Sequence, residues 1–180
     1  MVKSIPLGQV HHALVDDDDY PRLSQYTWFR SEAGYAVGFV PTADKFKLAY
    51  MHRLLMNAPP SHCVDHINGN PLDNRRQNLR IATPQQNVQN KRLSTLSQTG
   101  LKGVGWHKRR LKYHARIQQM GIRVHLGFFQ SAETAALAYD FAARRLFGAF
   151  ALCNYPERET PRSLADSVAQ RLQAHGLIHD

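Results

Sequence analysis

The sequence is poor in cysteine. Cys63 and Cys153 are the only cysteines among its 180 residues. Two thiols cannot form a disulfide framework or a structural zinc site with four cysteine ligands. The sequence therefore predicts a protein without structural zinc that depends on apolar packing and fits a reducing, cytoplasmic setting.

Long apolar runs are absent as well. No stretch approaches the roughly 18 consecutive apolar residues that a membrane-spanning helix needs. Residues 1–6 lack the apolar core of a secretory signal peptide. We therefore expect neither a membrane partner nor secretion. The hydrophobic content of 43% is sufficient for a packed core.

Acidic residues are scarce relative to basic ones. The chain has 14 Asp and Glu against 23 Lys and Arg, which gives a net charge of +9. Residues 1–60 are neutral overall, whereas residues 101–156 contain nine basic and two acidic side chains. A basic block behind a neutral start favours a polyanionic partner, most simply nucleic acid, although a solvated basic surface gives the same composition.

The first part of the chain has the pattern of a small mixed α and β region. The four carboxylates at residues 16–19 favour a turn or the start of a helix, because adjacent side chains fan outward and cannot converge on a metal ion. Short strands are predicted at residues 28–29 and 35–40. Residues 47–56 are apolar enough to form a buried strand or a buried helix.

Residues 57–92 are polar and rich in turn formers. The segment Asn68-Gly69-Asn70-Pro71 is a strong turn signal. Glutamine and asparagine recur at helical spacing over residues 84–92, which predicts a short helix. Residues 93–100 are small and polar, a composition that is typical of a linker.

Residues 101–156 show the clearest alternation. Three strands are predicted, over residues 104–107, 112–118 and 122–129. A helix follows, with Ser131 as its N-cap and Gly148 at its end. A further amphipathic helix is predicted near the C-terminus from Leu164, Val168 and Leu172, which recur every four residues.

Alternation along the second of these strands separates two faces. Tyr113, Ala115 and Ile117 share the face that we expect to pack against the helix. Trp106 is either part of the same core or a stacking group, and the core position is favoured. The opposite face is polar, mostly basic and open, and suits a DNA surface; it carries Lys112, His114, Arg116 and Gln118.

Residues 51–90 contain side chains that can hydrolyse a phosphodiester bond. His66 titrates near neutral pH, so its imidazole can accept a proton from water. Asp65 supplies a hard oxygen suited to Mg²⁺ or Mn²⁺, and Asn87, 21 residues after His66, can add an amide oxygen. An activated water and a cation on the leaving group are what this reaction needs. Taken singly, each residue is more often structural than functional.

Together these residues resemble the HNH endonuclease family, in the subgroup of phage homing endonucleases. The resemblance is carried by His52-Arg53, by VDHINGNPLDNRRQNLR from Val64 to Arg80, and by Asn87 with Asn90. The family fold is two strands, a loop and a helix around one metal ion. The resemblance implies that His66 is the general base and that Asn78 helps to orient it. It also implies that Asp65 and Asn87 hold a divalent ion, Mg²⁺ or Mn²⁺.

The same resemblance implies 5′-phosphate and 3′-hydroxyl ends. Many relatives add a zinc ion held by two Cys-x-x-Cys pairs, which this chain lacks. Asn87 stands at a position that is often His in the family. We interpret His52 as a structural or phosphate-contacting residue. The arginines that flank the site are expected to contact phosphates; they are Arg75, Arg76 and Arg80.

Residues 99–156 are similar to the plant ethylene-response-factor (Apetala) DNA-binding domain. The similarity is carried by GV at 103–104, YHARI at 113–117, HLGFF at 125–129, SAETAA at 131–136, AYDFAA at 138–143 and LCNYP at 152–156. It implies a three-stranded antiparallel sheet, packed on one helix, that contacts the major groove. Gly105 and His125 replace an Arg and a Trp of the family, so the plant target sequence does not carry over. The expected DNA-binding residues are Lys102, His107, Arg109, Lys112, His114, Arg116, Arg123 and His125.

The sequence thus predicts an α+β protein, a ββα-metal HNH nuclease module followed by a three-stranded antiparallel sheet packed on one helix. The predicted parts are an N-terminal extension at 1–50, the nuclease core at 51–92, a linker at 93–100, the DNA-binding domain at 101–156 and a helical tail at 157–180. The expected function is that of a metal-dependent homing-type HNH endonuclease of a phage or mobile element, active on double-stranded DNA.

Two alternatives remain beside this interpretation. One is a non-catalytic, sequence-specific DNA-binding transcription regulator that retains a nuclease-like module. An RNA-binding protein is disfavoured, because neither resemblance is to an RNA-binding module. A monomer with one HNH centre should nick one strand, in the cytoplasm of a bacterial or phage-infected host cell.

Overall fold

A computed structural model describes residues 1–89 and 98–179 of the chain. It divides into two compact units, Met1–Val88 and Gln89–Asp180. Each unit has its own hydrophobic core. None of the described helices is both long and apolar enough to cross a membrane.

The first unit is built on a five-stranded sheet. Its strands are β1 (Val2–Leu7), β2 (His11–Asp16), β3 (Trp28–Arg30), β4 (Ala36–Pro41) and β5 (Phe46–Tyr50), in the spatial order β2-β1-β3-β4-β5. Neighbours are antiparallel except β1 and β3, which are parallel. Alternation places Ile5 and Leu7 of β1 and Ala13 and Val15 of β2 in the core. A short helix, α1 (Tyr20–Leu23), follows the acidic run in a turn.

A second helix, α2 (Met51–Met56), begins directly after β5. The apolar segment predicted as one strand or one helix is therefore divided between the two. Tyr50 keeps extended backbone (φ −82°, ψ 132°) and the chain turns helical at Met51. Met51 and Leu55, four residues apart, are buried, and Asn57 ends the helix with a left-handed conformation at φ 46°.

The HNH-like segment forms a hairpin and a helix. Strands β6 (Cys63–His66) and β7 (Leu79–Ala82) are antiparallel, with Asp65 opposite Arg80 and His66 opposite Leu79. A short 3₁₀ helix, Arg76–Asn78, leads into β7. Helix α3 (Pro84–Gln89) follows one residue after β7. Residues 90–92 of the predicted helix, including Asn90, and residues 93–97 of the predicted linker lie outside the described residues.

The second unit pairs a sheet with helices. Strands β8 (Val104–His107), β9 (Lys112–Gln119) and β10 (Ile122–Phe129) form an antiparallel sheet in the order β10-β9-β8. Helix α4 (Ala132–Phe147) begins at Ser131, whose Oγ accepts a hydrogen bond from the Thr134 backbone, and it ends at Gly148. Both predicted helix ends are confirmed. Helix α5 (Arg162–Ala174) comes last among the described elements.

The core of the second unit contains more than one helix. Ala115 and Ile117 of β9 are buried against α4, and Val168 and Leu172 of α5 are fully buried in the same cluster. The predicted tail is therefore a structural part of the unit. Trp106, expected in this core, is 39% exposed and meets the Tyr113 ring edge-on at 4.8 Å, because it lies on the edge strand β8. The mixed α and β class is confirmed.

Candidate active site

The end of β6 presents the two candidate catalytic side chains. Asp65 and His66 are consecutive, yet both are buried, at 5% and 6% exposure. Adjacent strand residues point to opposite faces, so burial of both requires cover on each side of the hairpin. The ring cluster described next lies against His66, and Arg80 of β7 lies against Asp65.

Aromatic rings surround His66. The His52 ring of α2 meets the His66 ring edge-on, with centroids 5.1 Å apart and planes at 83°. The Tyr35 ring lies 5.2 Å from His52 and 5.9 Å from His66. The Tyr50 ring lies 5.4 Å from His52. These four side chains, here called the ring cluster, bring together the ends of β4, β5, α2 and β6.

Burial controls the protonation of both histidines. It lowers the pKa of His52 from its usual 6.5 to about 3, with a smaller effect from His66 and Arg53. Burial also lowers the pKa of His66, although the Asn74 side chain and the Asp65 and Asp73 carboxylates oppose that shift. Both imidazoles are therefore uncharged at neutral pH, the form in which a histidine accepts a proton.

The loop after His66 is braced by amide side chains. Asn78 is 6% exposed. Its Oδ1 accepts a hydrogen bond from the Asn68 backbone at 2.9 Å, and its Nδ2 donates to Asn68 Oδ1 at 3.0 Å and to the Asp73 carbonyl at 2.8 Å. Because Asn68 is two residues after His66, Asn78 restrains the chain that leaves the candidate base.

Asp73 anchors the same loop from inside. Its carboxylate is 2% exposed and accepts hydrogen bonds from Arg75 Nε at 2.7 Å, Arg75 Nη2 at 2.6 Å and Asn68 Nδ2 at 2.8 Å. The Arg75 guanidinium lowers the pKa of this carboxyl, against the effect of burial. Asp73 therefore stays ionised, and it adds a fixed negative charge that favours a proton on His66.

Strand β2 holds the loop from the outside. The Leu14 backbone donates to the Leu72 carbonyl at 2.8 Å, and the Asn74 backbone donates to the Leu14 carbonyl at 2.8 Å. Asn74 itself is 1% exposed. The acidic run next to β2 contributes as well, since Arg76 pairs with Asp19 at 2.7 Å. The acidic run forms the predicted turn before α1, with Asp19 at the N-cap position, although the Asp19 side chain makes no cap hydrogen bond.

The candidate metal ligand Asp65 already has a cationic partner. Arg80 Nε and Nη2 lie 2.7 Å and 2.6 Å from Asp65 Oδ2. The Arg80 side chain is 16% exposed. All three arginines predicted to contact phosphate thus pair with carboxylates: Arg75 with Asp73, Arg76 with Asp19 and Arg80 with Asp65.

The second candidate ligand, Asn87, lies on α3, half-buried. Its backbone N–H bonds to the Thr83 carbonyl, so it belongs to the first turn of that helix. Among residues 1–89 and 98–179, no group of three or more His, Cys, Asp or Glu is arranged to hold a metal ion. A cation held by the Asp65 carboxylate and the Asn87 amide oxygen would need further oxygen ligands to complete its coordination.

The outer face of the second sheet carries most of the predicted DNA contacts. His125 and Arg116 are direct cross-strand partners, as are His107 and Lys112. Residues 108–111 form a turn that carries Arg109, and Arg123 is exposed with Nη2 3.4 Å from Gln118 Oε1. Lys102, in contrast, is half-buried, and burial lowers its pKa.

Phe128 lies at the centre of this face and was not anticipated as a surface residue. Its ring is 4.5 Å from the His125 ring and 5.2 Å from the His107 ring, and the Arg110 guanidinium lies over it at 4.6 Å. The irregular pairing between His125 and Gly127 brings it there, because the extra residue shifts the alternation of β10. A bulge of this kind leaves little trace in a short sequence.

Two histidines of this face, His114 and His125, have a lowered pKa, which favours the uncharged imidazole. Burial lowers the pKa of His114 and of His125, helped in both cases by Arg116. Gly105 accounts for the position of His114, because a Cβ at residue 105 would lie 2.7 Å from His114 Nε2. A side chain at residue 105 would therefore require the His114 ring to move.

The AYDFAA and LCNYP segments meet at one buried carboxylate. Asp140 is fully buried and accepts hydrogen bonds from the Asn154 backbone at 2.7 Å, from Asn154 Nδ2 at 3.0 Å and from the Tyr155 backbone at 2.8 Å. Asn154 in turn bonds to both backbone groups of Lys102. Gly103 follows at φ +74°, packed so closely on Tyr139 that a Cβ would meet its ring at 2.0 Å.

Comparison with known proteins defines the class of enzyme. A family profile described as HNH endonuclease matches residues 57–89, the span from the end of α2 to the end of α3. A protein of Acanthamoeba polyphaga mimivirus named "Uncharacterized HNH endonuclease L560" is 33% identical over 150 residues, which cover 82% of this chain and 76% of that protein. The chain therefore belongs to the HNH endonuclease family and is a DNA-cleaving hydrolase.

Other relatives share part of the chain. "Protein 3.8" of Escherichia phage T7 is 33% identical over 93 residues, 52% of this chain and 76% of that protein. "Ethylene-responsive transcription factor 1" of Solanum lycopersicum is 47% identical over 55 residues, 29% of this chain and 22% of that protein. No solved structure matches the chain.

Proposed function

We propose that the protein is a metal-dependent endonuclease in which His66 is the general base, and that its second unit directs it to double-stranded DNA. One observation carries the proposal. An uncharged, buried His66 stands at the end of β6 next to Asp65, on a loop that Asn78 and Asp73 fix in place. This is the arrangement that proton abstraction from a water molecule requires.

Neighbouring groups stabilise the positive charge that His66 acquires when it accepts a proton. Asp65 and Asp73 both favour the protonated imidazole, as does the Asn74 side chain. Asp73 is held ionised by Arg75, so its contribution does not depend on pH near neutrality. The imidazolium that forms as water attacks the phosphorus is thereby stabilised, while the resting form of His66 remains neutral.

The donors Asp65 and Asn87 fit a hard divalent cation, Mg²⁺ or Mn²⁺. The first is a buried carboxylate on β6, and the second is an amide on the helix that follows β7. Two strands followed by a helix is the order that the family resemblance implies for a ββα-metal module. When bound, such an ion would stabilise charge on the leaving 3′ oxygen. Arg80 shares the Asp65 carboxylate and would divide its charge with the ion.

DNA targeting is assigned to the sheet of the second unit. Residues 101–156 contain nine basic and two acidic side chains. Lys112 and Arg116 project from one strand of the open face, and Arg116 faces His125 across the sheet. We assign base contacts to Arg116 and His125 and phosphate contacts to Lys112. The partial match to a plant transcription factor supports this assignment.

Plasmid nicking tests the catalytic role. With Mg²⁺ present, His66→Ala should lose cleavage by about 10²–10⁴-fold while retaining DNA affinity in a gel-shift titration, because the base acts after binding. The control is His12→Ala, which removes an exposed histidine of β2. Cleavage by His66→Ala at the wild-type rate would refute the assignment. A single active site in a monomer should give nicked circles before linear DNA.

A further inference from the structure

We propose that His52 is a positioning residue for cleavage, whose ring, together with that of Tyr35, fixes the orientation of the His66 imidazole. The inference rests on the proposed role of His66 as general base. It goes beyond that role because it assigns a function in catalysis to a side chain of α2, outside the hairpin that carries Asp65 and His66.

Three aromatic rings contact one another at the candidate base. His52, Tyr35 and His66 form a closed triangle with centroid distances of 5.1, 5.2 and 5.9 Å. The edge-on contact between the two imidazoles, at 83°, is a favoured aromatic arrangement. Rotation of the His66 ring about its χ2 torsion would disturb its contacts with both neighbours. The triangle therefore restricts the direction in which the ring nitrogens point.

The position of His52 is fixed by its neighbours on α2. It lies in the first turn of α2, between Met51, which is fully buried, and Arg53, whose guanidinium donates to the carbonyls of His62, Ala58 and Pro59. Its side chain is 7% exposed. Helix α2 thus fixes the position of the His52 ring, and the His52 ring restricts rotation of the His66 imidazole.

His52 contacts its neighbours through ring packing. Its Nδ1 is buried and has no hydrogen-bond partner among the described residues. The Tyr35, Tyr50 and His66 rings pack around it at 5.1 to 5.4 Å. We therefore infer that His52 acts on its neighbours through the packing of its ring and not through a hydrogen bond from Nδ1. A phenyl ring of similar size should serve in its place, whereas a methyl group should not.

The experiment compares His52→Phe with His52→Ala in the full chain, by plasmid nicking at saturating Mg²⁺. His52→Ala should lower kcat by about 10- to 100-fold with little change in KM, because a small misplacement of a catalytic group has effects of this size. His52→Phe should retain most of kcat. Equal losses in both variants would show that a ring nitrogen is needed, and would overturn the positioning role. Full activity of His52→Ala would overturn it as well.

A double-mutant cycle separates this proposal from the assignment of His66. In a His66→Ala background, His52→Ala should cause no further loss, since it acts only through the missing imidazole. A further loss of the same size as in the wild type would refute the proposal even if His66 is the base. If His66→Ala alone cuts normally, the catalytic assignment fails first. His12→Ala serves as the matched control, and its kcat should equal that of the wild type.

Discussion

At the scale of single residues, His52 couples the ring cluster to acid stability. Its folded pKa of about 3 lies below the ordinary 6.5, so below pH 6.5 the unfolded chain binds a proton that the folded protein does not. Stability should therefore fall as the pH drops from 6.5 towards 3, by about 1.4 kcal/mol per pH unit for this group.

The variant His52→Phe tests that expectation, because it keeps a ring but removes the titration. Urea unfolding of the first unit between pH 7 and pH 5 should be less pH-dependent in His52→Phe than in the wild type. His12→Phe, at an exposed position of β2, is the control. An unchanged pH dependence in His52→Phe would show that other groups carry the acid sensitivity.

Asp65 is predicted to be required for metal-dependent cleavage. EDTA should stop plasmid cleavage, and added Mg²⁺ or Mn²⁺ should restore it, because the proposed ligands are oxygens. Asp65→Ala should remain inactive after metal is added back, whereas Asp18→Ala, at the exposed position of the acidic run, should respond like the wild type. Full cleavage in EDTA would exclude the proposed metal dependence.

At the scale of elements, the structure shows which parts of the sequence are locally determined. The three strands predicted at residues 104–107, 112–118 and 122–129 agree with β8, β9 and β10 to within one residue. Their alternation and turns are local signals. Strands β1 and β2 went unrecognised, because β1 contains Pro6 and β2 begins with two histidines. Their pairing with each other and with β3 stabilises them instead.

The features of the candidate site likewise fall into those that the sequence reveals and those that only the tertiary structure reveals. The motif around Asp65 and His66 was visible in the sequence, as was the turn at Asn68. The ion pairs were not, because Arg76 reaches Asp19 across 57 residues and Arg80 reaches Asp65 only through strand register. The ring cluster combines Tyr35 and Tyr50 with the histidines by tertiary packing alone. Sequence spacing carries no information about such contacts.

The Asp140 carboxylate supports a prediction at the element scale. It joins α4 to the segment at Asn154 and Tyr155, which in turn holds Lys102. In Asp140→Asn one acceptor becomes an NH₂ group facing backbone donors, so the second unit should lose about 2–4 kcal/mol of unfolding free energy. Chemical denaturation measures the loss. Asp166→Asn, on the exposed side of α5, should change stability little.

At the scale of the whole molecule, each unit with its own core should behave as a separate domain. A fragment of residues 98–180 should bind duplex DNA with an affinity that falls steeply with salt, because phosphate contacts dominate. Residues 1–92, with three excess positive charges against six for residues 98–180, should bind more weakly.

The choice of boundary matters for that experiment. A fragment of residues 99–156 lacks Val168 and Leu172, which fill the core against the sheet, so it should be less stable than 98–180. Gel-shift titrations of the fragments on one duplex give the comparison. Equal affinity of 1–92 and 98–180, or none for 98–180, would remove the targeting role from the second unit.

The hydrogen bonds between β2 and the loop after His66 have a consequence for folding during synthesis. The partners of Leu14 lie about 60 residues further along, at Leu72 and Asn74. On a ribosome, β2 emerges long before the loop that it holds. The base at His66 therefore takes up its final position only after the hairpin has been synthesised and has closed back on β2. We expect nascent chains that lack the complete hairpin to be unable to cut DNA. Chains from which residues 1–15 have been removed should be inactive as well, because they have lost β2.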